Sequence, residues 1–183
     1  MELLNTVATV GTFLVIAATA VAAVLQLRHM RASNQFEAIQ YAVESFKDPA
    51  MQRAIHYVLT EFNDRVADPE FRSGIVESEL DVERHPERMV CNFQELMGSY
   101  VRHRLIPFEI YMDAAPVLPH AIWGTLEPYI AIRRRLSTHP LALYEHFEWL
   151  AAKSKAYSET HKRGVLDGKF QRLPVRDRWH EEA

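Results

Sequence analysis

From Leu3 to Leu27 the chain carries no charged side chain, and this run restricts what the protein can become more than any other feature. At about 1.5 Å of rise per residue, some twenty helical residues cross a hydrocarbon core of roughly 30 Å. The run therefore predicts a transmembrane helix. A cleavable secretory signal is the rival reading, because Ala18-Thr19-Ala20 looks like a small-residue cleavage site. Met1 and acidic Glu2 stand where a signal wants Lys or Arg, and the apolar run continues past that site, so the sequence favours an anchor. No Lys or Arg precedes the span, whereas Arg28 and Arg31 follow it at once with His29 between them. That asymmetry predicts a single-pass protein of the inner membrane, with its N-terminus outside and everything from Arg28 onward in the cytoplasm. No ionisable group lies at mid-depth, which argues against a proton relay, an ion pathway or a His-ligated haem within this helix alone. Gly11, Ala18, Ala22 and Ala23 could form a close-packing face, or simply meet lipid.

Beyond Arg28 there is no run of alternating β-branched residues, while apolar positions recur at spacings of three and four almost throughout. The expected class is all-α. Ala32, Phe36, Ile39, Val43 and Phe46 step by four, three, four and three, so the membrane helix should continue as a stalk to about Lys47. The seam covers only about two heptads; a homodimer through the stalk stays open, with packing on its own domain preferred. Prolines then mark helix starts at Pro49, Pro69, Pro86, Pro107, Pro116 and Pro140, since proline at the first helical position loses no hydrogen bond and has a helical φ already. Asp48 and Asp68 supply N-cap oxygens. The second helix should bury Met51, Ala54, Ile55, Val58, Leu59 and Phe62. A short helix follows from Pro69 to Leu80, and then the longest apolar stripe, from Met89 to Leu105. Gly98 inside that stripe costs about 1 kcal/mol relative to alanine and points to close approach of a neighbouring helix. Helices over Pro107–Ala114, Pro116–Arg135 and Pro140–His161 complete the set, with Pro128 expected to kink or split its helix. The implied organisation is an anchor over 1–27, a stalk over 28–47, a cytoplasmic helical bundle over 48–162 and a basic tail over 163–183.

Composition excludes several classes. The 183 residues are 48% apolar with six Gly and nine Pro, too apolar for a disordered chain and too poor in Gly for a fibrous one. Cys91 is the single cysteine, which excludes an internal disulfide and any Cys-based metal cluster. With 21 Lys and Arg against 24 Asp and Glu, no global positive field gathers nucleic acid, so nucleic acid is not an expected partner.

A resemblance is carried by Asn92-Phe93-Gln94-Glu95-Leu96-Met97-Gly98, by Leu105-Ile106, by Leu126-Glu127-Pro128-Tyr129-Ile130 with Arg133-Arg134, and by Leu143 to Leu150. Together these resemble a family of uncharacterised bacterial proteins that combine one N-terminal membrane helix with a cytoplasmic helical domain. The resemblance spans somewhat over a third of the chain and departs from the family pattern at Arg102-His103-Arg104 and over Pro116 to Pro119. It implies the anchor and the all-α domain, and no activity.

The sequence carries few marks of catalytic or ligand chemistry. No two of the nine histidines stand at the i,i+3 or i,i+4 spacing of a helical metal pair. There is no glycine-rich phosphate loop, no Gly-x-Ser-x-Gly elbow and no kinase signature. Cys91 sits one step off the apolar stripe and reads as a half-buried structural thiol. One polar constellation stands out: Asn92 and Glu95 share a helix face, Arg133 to Arg135 end a long helix, and Glu148 lies in the next. It is expected to be a structural network in which Arg133 pairs with Glu148; the alternative is a site for acid–base chemistry between helices. Arg102-His103-Arg104 reads as a solvated helix end that complements the dipole, the alternatives being an anionic-lipid contact or a docking patch. In the basic tail Phe170, Leu173 and Trp179 are candidate docking residues.

The expectation is a non-catalytic, cofactor-free interaction protein in the lipid bilayer. It would be an accessory or scaffold subunit docking on other membrane-protein subunits of a larger inner-membrane assembly, for example an energy-transducing complex. The alternative is a membrane-tethered enzyme or sensor whose site joins Asn92, Glu95, Arg133 and Glu148.

Overall fold

The computed structural model describes residues 1–76, 83–162, 164, 166, 168, 169 and 171. The fold is all-α, with eight helices and no strand among the described residues. Helix α1, Glu2–Lys47, runs unbroken from the apolar span through the stalk. It is the one described helix long and apolar enough to span a membrane, and it lies near the N-terminus. From Gln35 to Ser45 one side of α1 belongs to the bundle: Ala38 is buried, and Ile39 and Ala42 pack on the core. The heptad-like seam is thereby divided, with Phe36 and Val43 left exposed.

Asp48 ends α1 and caps α2, Pro49–Thr60, its Oδ1 accepting the Ala50 N–H at 2.6 Å, with Pro49 at the first helical position. Helix α2 buries Met51, Ala54, Ile55 and Val58, and Phe62 is buried at the start of α3, Phe62–Ala67. Leu59, expected in this stripe, is instead exposed, because it stands about 100° around the helix from fully buried Val58. Asp68 repeats the capping device for α4, Pro69–Val76, by accepting the Glu70 N–H.

Helix α5, Glu87–Arg102, is the centre of the domain and packs against α2, α6, α7 and α8. Its stripe buries Val90, Cys91, Phe93, Met97 and Val101, each large apolar side chain contributing about 1.5–3 kcal/mol. Cys91 is fully buried, deeper than its place beside the stripe suggested. Helix α6 is Phe108–Ala114, and α7 is Leu118–Leu136, which continues through Pro128 without a break. Packing on both flanks holds α7 despite the hydrogen bond that Pro128 cannot donate. Residues 140–144 form a turn, so α8 begins at Glu145 and runs to Thr160, later than Pro140 had suggested.

Candidate functional site

The polar residues singled out in the sequence gather around the first turn of α8. No side chain of its own N-cap residue, Tyr144, satisfies the free N–H groups there. Glu95 of α5 does so from outside: its Oε2 accepts the Phe147 N–H at 2.8 Å, and its Oε1 lies 3.0 Å from His146 Nδ1. A carboxylate at a helix N-terminus also meets the positive end of the helix dipole. One turn further along α5, Gly98 brings the backbones together, since a β-carbon there would stand 2.3 Å from the His146 carbonyl oxygen. The close approach inferred from Gly98 is therefore found, and α8 is the neighbour. Asn92 Oδ1 receives the Tyr144 hydroxyl at 3.5 Å, the edge of hydrogen-bonding range. Tyr144 itself holds a positive φ of 58°, a conformation disfavoured for a non-glycine residue.

Glu148 is held from the other side, and here the expected pairing is corrected. Its partner is Arg134, whose Nη2 lies 2.6 Å from Glu148 Oε2. Arg134 also donates from Nε to the Leu143 carbonyl at 3.0 Å and lies over the Trp123 ring. Arg133 turns away and donates to the Ile75 carbonyl at 3.2 Å, tying α7 to the end of α4. Consecutive helical residues differ by about 100°, so only one of the two can face α8. Asn92, Glu95 and Glu148 thus hold one helix start, and Arg133 does not join them.

A second polar pair was not anticipated. His85 and Glu87 are both buried, with His85 Nδ1 2.8 Å from Glu87 Oε1. Among the described residues His85 Nε2 and Glu87 Oε2 have no hydrogen-bond partner. Burial raises the Glu87 carboxyl above its usual range, against a smaller downward pull from the His85 hydrogen bond. Burial likewise lifts the Tyr57 hydroxyl to about 12, helped by the Glu87 charge. The same causes raise the Cys91 thiol, which makes a nucleophilic thiolate unfavourable. The available signal was spacing: 87, 91, 94 and 98 fall on one face of α5, and that face is buried.

Several openings flank this core, one of them, of about 480 Å3 between α1, α2 and α5, lined by Asn92 together with Tyr41, Met51 and Arg88. An apolar groove of about 230 Å3 lies between α1, α5 and α6, floored by Phe93, Met97 and Leu118 and edged by Val43, Phe46 and Ile110. A polar cleft of about 600 Å3 lies at the α5–α6 turn, between α1 and α8, and contains Arg102, Arg104, Trp149 and Lys153. None of these three is lined by Glu95, Arg133 or Glu148. Among the described residues no group of three His, Cys, Asp or Glu is arranged to hold a metal ion. Phe170, Leu173 and Trp179 lie outside the described residues.

The model of the family described as Domain of unknown function (DUF4760) matches residues 13–154, most of the chain. The chain belongs to this family. The match takes in the last part of the apolar span, the stalk, the Glu95–α8 contact and these openings, so the DUF4760 unit includes part of α1 as well as the helical body. No curated protein and no solved structure matches the chain.

Proposed function

We propose that this DUF4760 chain is a non-catalytic interaction module of a bacterial inner membrane, anchored by α1 with its helical domain in the cytoplasm, and that it serves as an accessory subunit of a larger membrane assembly. The observation that carries the reading is the apolar groove between α1, α5 and α6. Its edges remain exposed, Ile110 at 52%, Val43 at 45% and Phe46 at 39%, and they share one opening whose lining is apolar but for Lys47 and Tyr111. A groove edged by aliphatic and aromatic groups fits the apolar face of a helix from another subunit. The polar residues support the same reading. Asn92, Glu95 and Glu148 are occupied in holding α8, and Arg133 in holding α4, so each of the four already serves a packing contact among the described residues.

Gentle-detergent purification of the full chain followed by mass spectrometry tests the proposal. A co-purifying membrane subunit lost from Ile110→Glu and retained by the exposed-site control Arg135→Gln is the expected result. Recovery of the same subunits with Ile110→Glu, or of none with the wild type, overturns it.

A further inference from the structure

The polar cleft at the α5–α6 turn has the features of an anion site. Arg102, Arg104 and Lys153 line it together with a single carboxylate, Glu109. None of the three cations has a carboxylate within 4.0 Å among the described residues. Arg102 instead lies over the Trp149 ring at 5.7 Å, a contact that orients the guanidinium without neutralising it.

The backbone adds an independent observation. Helix α5 ends in a left-handed turn, with the Leu105 N–H donating to the Tyr100 carbonyl at 2.8 Å and the Arg104 N–H to the Val101 carbonyl at 3.1 Å. The residue at the left-handed position of this motif is ordinarily glycine, because it has no Cβ to clash. Here it is Arg104, with φ of 60°. An arginine held where glycine would be relaxed is explained by a need for its side chain, since such strain gathers at ligand-binding positions.

Position supplies the ligand. Gln35 of α1 donates to the Arg104 carbonyl at 3.3 Å and so fixes the cleft against the stalk. Gln35 follows Leu27 by about two helical turns, roughly 12 Å along α1, and the headgroup layer itself extends about 5–7 Å beyond the hydrocarbon. Extended arginine side chains cover much of the remaining distance, and any tilt of α1 that lowers this corner shortens it further.

We propose that this cleft binds the phosphate of an anionic glycerophospholipid headgroup, with Arg102, Arg104 and Lys153 as its ligands and Trp149 beside it at the polar–apolar boundary. The proposal rests on α1 being the membrane anchor. Lipid bound there would fix the rotation of the domain about the stalk and hence the direction in which the apolar groove faces.

Native mass spectrometry of the full chain in mild detergent tests it, with phosphatidylglycerol and phosphatidylcholine of identical acyl chains as probes. Preferential retention of phosphatidylglycerol is expected, weakened about fivefold for each of Arg102→Gln, Arg104→Gln and Lys153→Gln and unchanged in Arg135→Gln. Arg104→Gly is the decisive variant: it should weaken lipid retention as Arg104→Gln does while melting about 2–4 °C higher, because the strain is relieved. Loss that follows Arg28→Gln and Arg31→Gln but spares the cleft variants overturns the site. Competition by glycerol 3-phosphate at concentrations equal to the lipid's shows a soluble phosphate ligand and overturns the lipid assignment. Flotation of the wild type with phosphatidylcholine vesicles reads the anchor separately, so failure there is distinguishable from failure of the cleft.

Discussion

Glu95 of α5 caps α8 across the helix interface, its Oε2 accepting the Phe147 N–H at 2.8 Å where no side chain of the α8 N-cap residue does so. The bond joins two helices that are distant in sequence, so its loss should be felt as domain stability and not as local fraying. Glu95→Ala is expected to cost about 1.5–3 kcal/mol, the range for a hydrogen bond to a charged group. Glu95→Gln keeps an acceptor but gives up the charge at the helix terminus and should cost about 1 kcal/mol or less. Denaturant melts of the full chain in detergent measure both, and equal losses would show that the charge contributes nothing.

Gly98→Ala tests the close approach of α8 to α5. In an open helix interior this change is favourable by about 1 kcal/mol. Here the new β-carbon would lie 2.3 Å from the His146 carbonyl oxygen, a backbone atom that cannot swing aside. Overpacking of this kind costs about 1–3 kcal/mol, so the sign should reverse and the variant should melt lower than the wild type. A higher melting temperature would place α8 further from α5 than the structure has it.

How far the sequence reveals this depends on whether one helix or two is involved. The helix starts at Pro49 and Pro69 are legible because the capping Asp and the Pro are adjacent in the chain. Gly98 is legible because a glycine inside a helical stripe weakens its own helix, a cost that close packing against a neighbour offsets. The choice of Arg134 over Arg133 is not, since it depends on how α7 is rotated against α8, and a 100° difference lies below what apolar spacing resolves in an arginine run. The His85–Glu87 pair is hidden for another reason: a charged residue at a buried stripe position reads as an error in the stripe until its partner is seen. The polar cleft needs three separate segments, around Gln35, Arg104 and Lys153, and only the fold brings them together.

Arg134 and Glu148 should couple weakly, and Arg133 and Glu148 not at all. The Glu148 side chain is 53% exposed, so solvent screens the pair and holds its coupling to about 1 kcal/mol or below. Arg134→Met should nevertheless cost more than Glu148→Gln, because it also gives up the Leu143 carbonyl and the Trp123 ring. Double-mutant cycles with Arg134→Met or Arg133→Met against Glu148→Gln measure this. A larger coupling through Arg133 would reverse the assignment.

The proposed orientation has a direct readout. Cys91 is fully buried and should stay unmodified in the native protein, so it leaves the background silent. Leu141 is 82% exposed in the turn before α8, and Leu141→Cys introduces an accessible thiol. An impermeant maleimide should label it in opened cells and not in intact ones. Labelling of intact cells would put the domain on the outer side.

The buried Glu87 should make stability fall as pH rises through the weakly acidic range. Burial is the larger influence on its carboxyl and raises its folded-state value above the ordinary 4.5. A raised carboxyl means that the folded chain holds its proton over a window in which the unfolded chain has released it. Stability from this group is then fully present below about pH 4.5 and declines with a slope of at most about 1.4 kcal/mol per pH unit until Glu87 itself ionises. Glu87→Gln retains an oxygen to accept from His85 Nδ1 and removes the buried charge. The variant should therefore be more stable than the wild type at pH 7, and the difference should shrink as pH falls toward 4. Taking that difference cancels the titratable groups that make no contact with Glu87, and leaves the His85–Glu87 pair as what is read. Melts of the two chains across pH 4 to 7 supply it, and a wild type that is the more stable at pH 7 would mean that the His85 contact outweighs burial and that the pair is held as an ion pair.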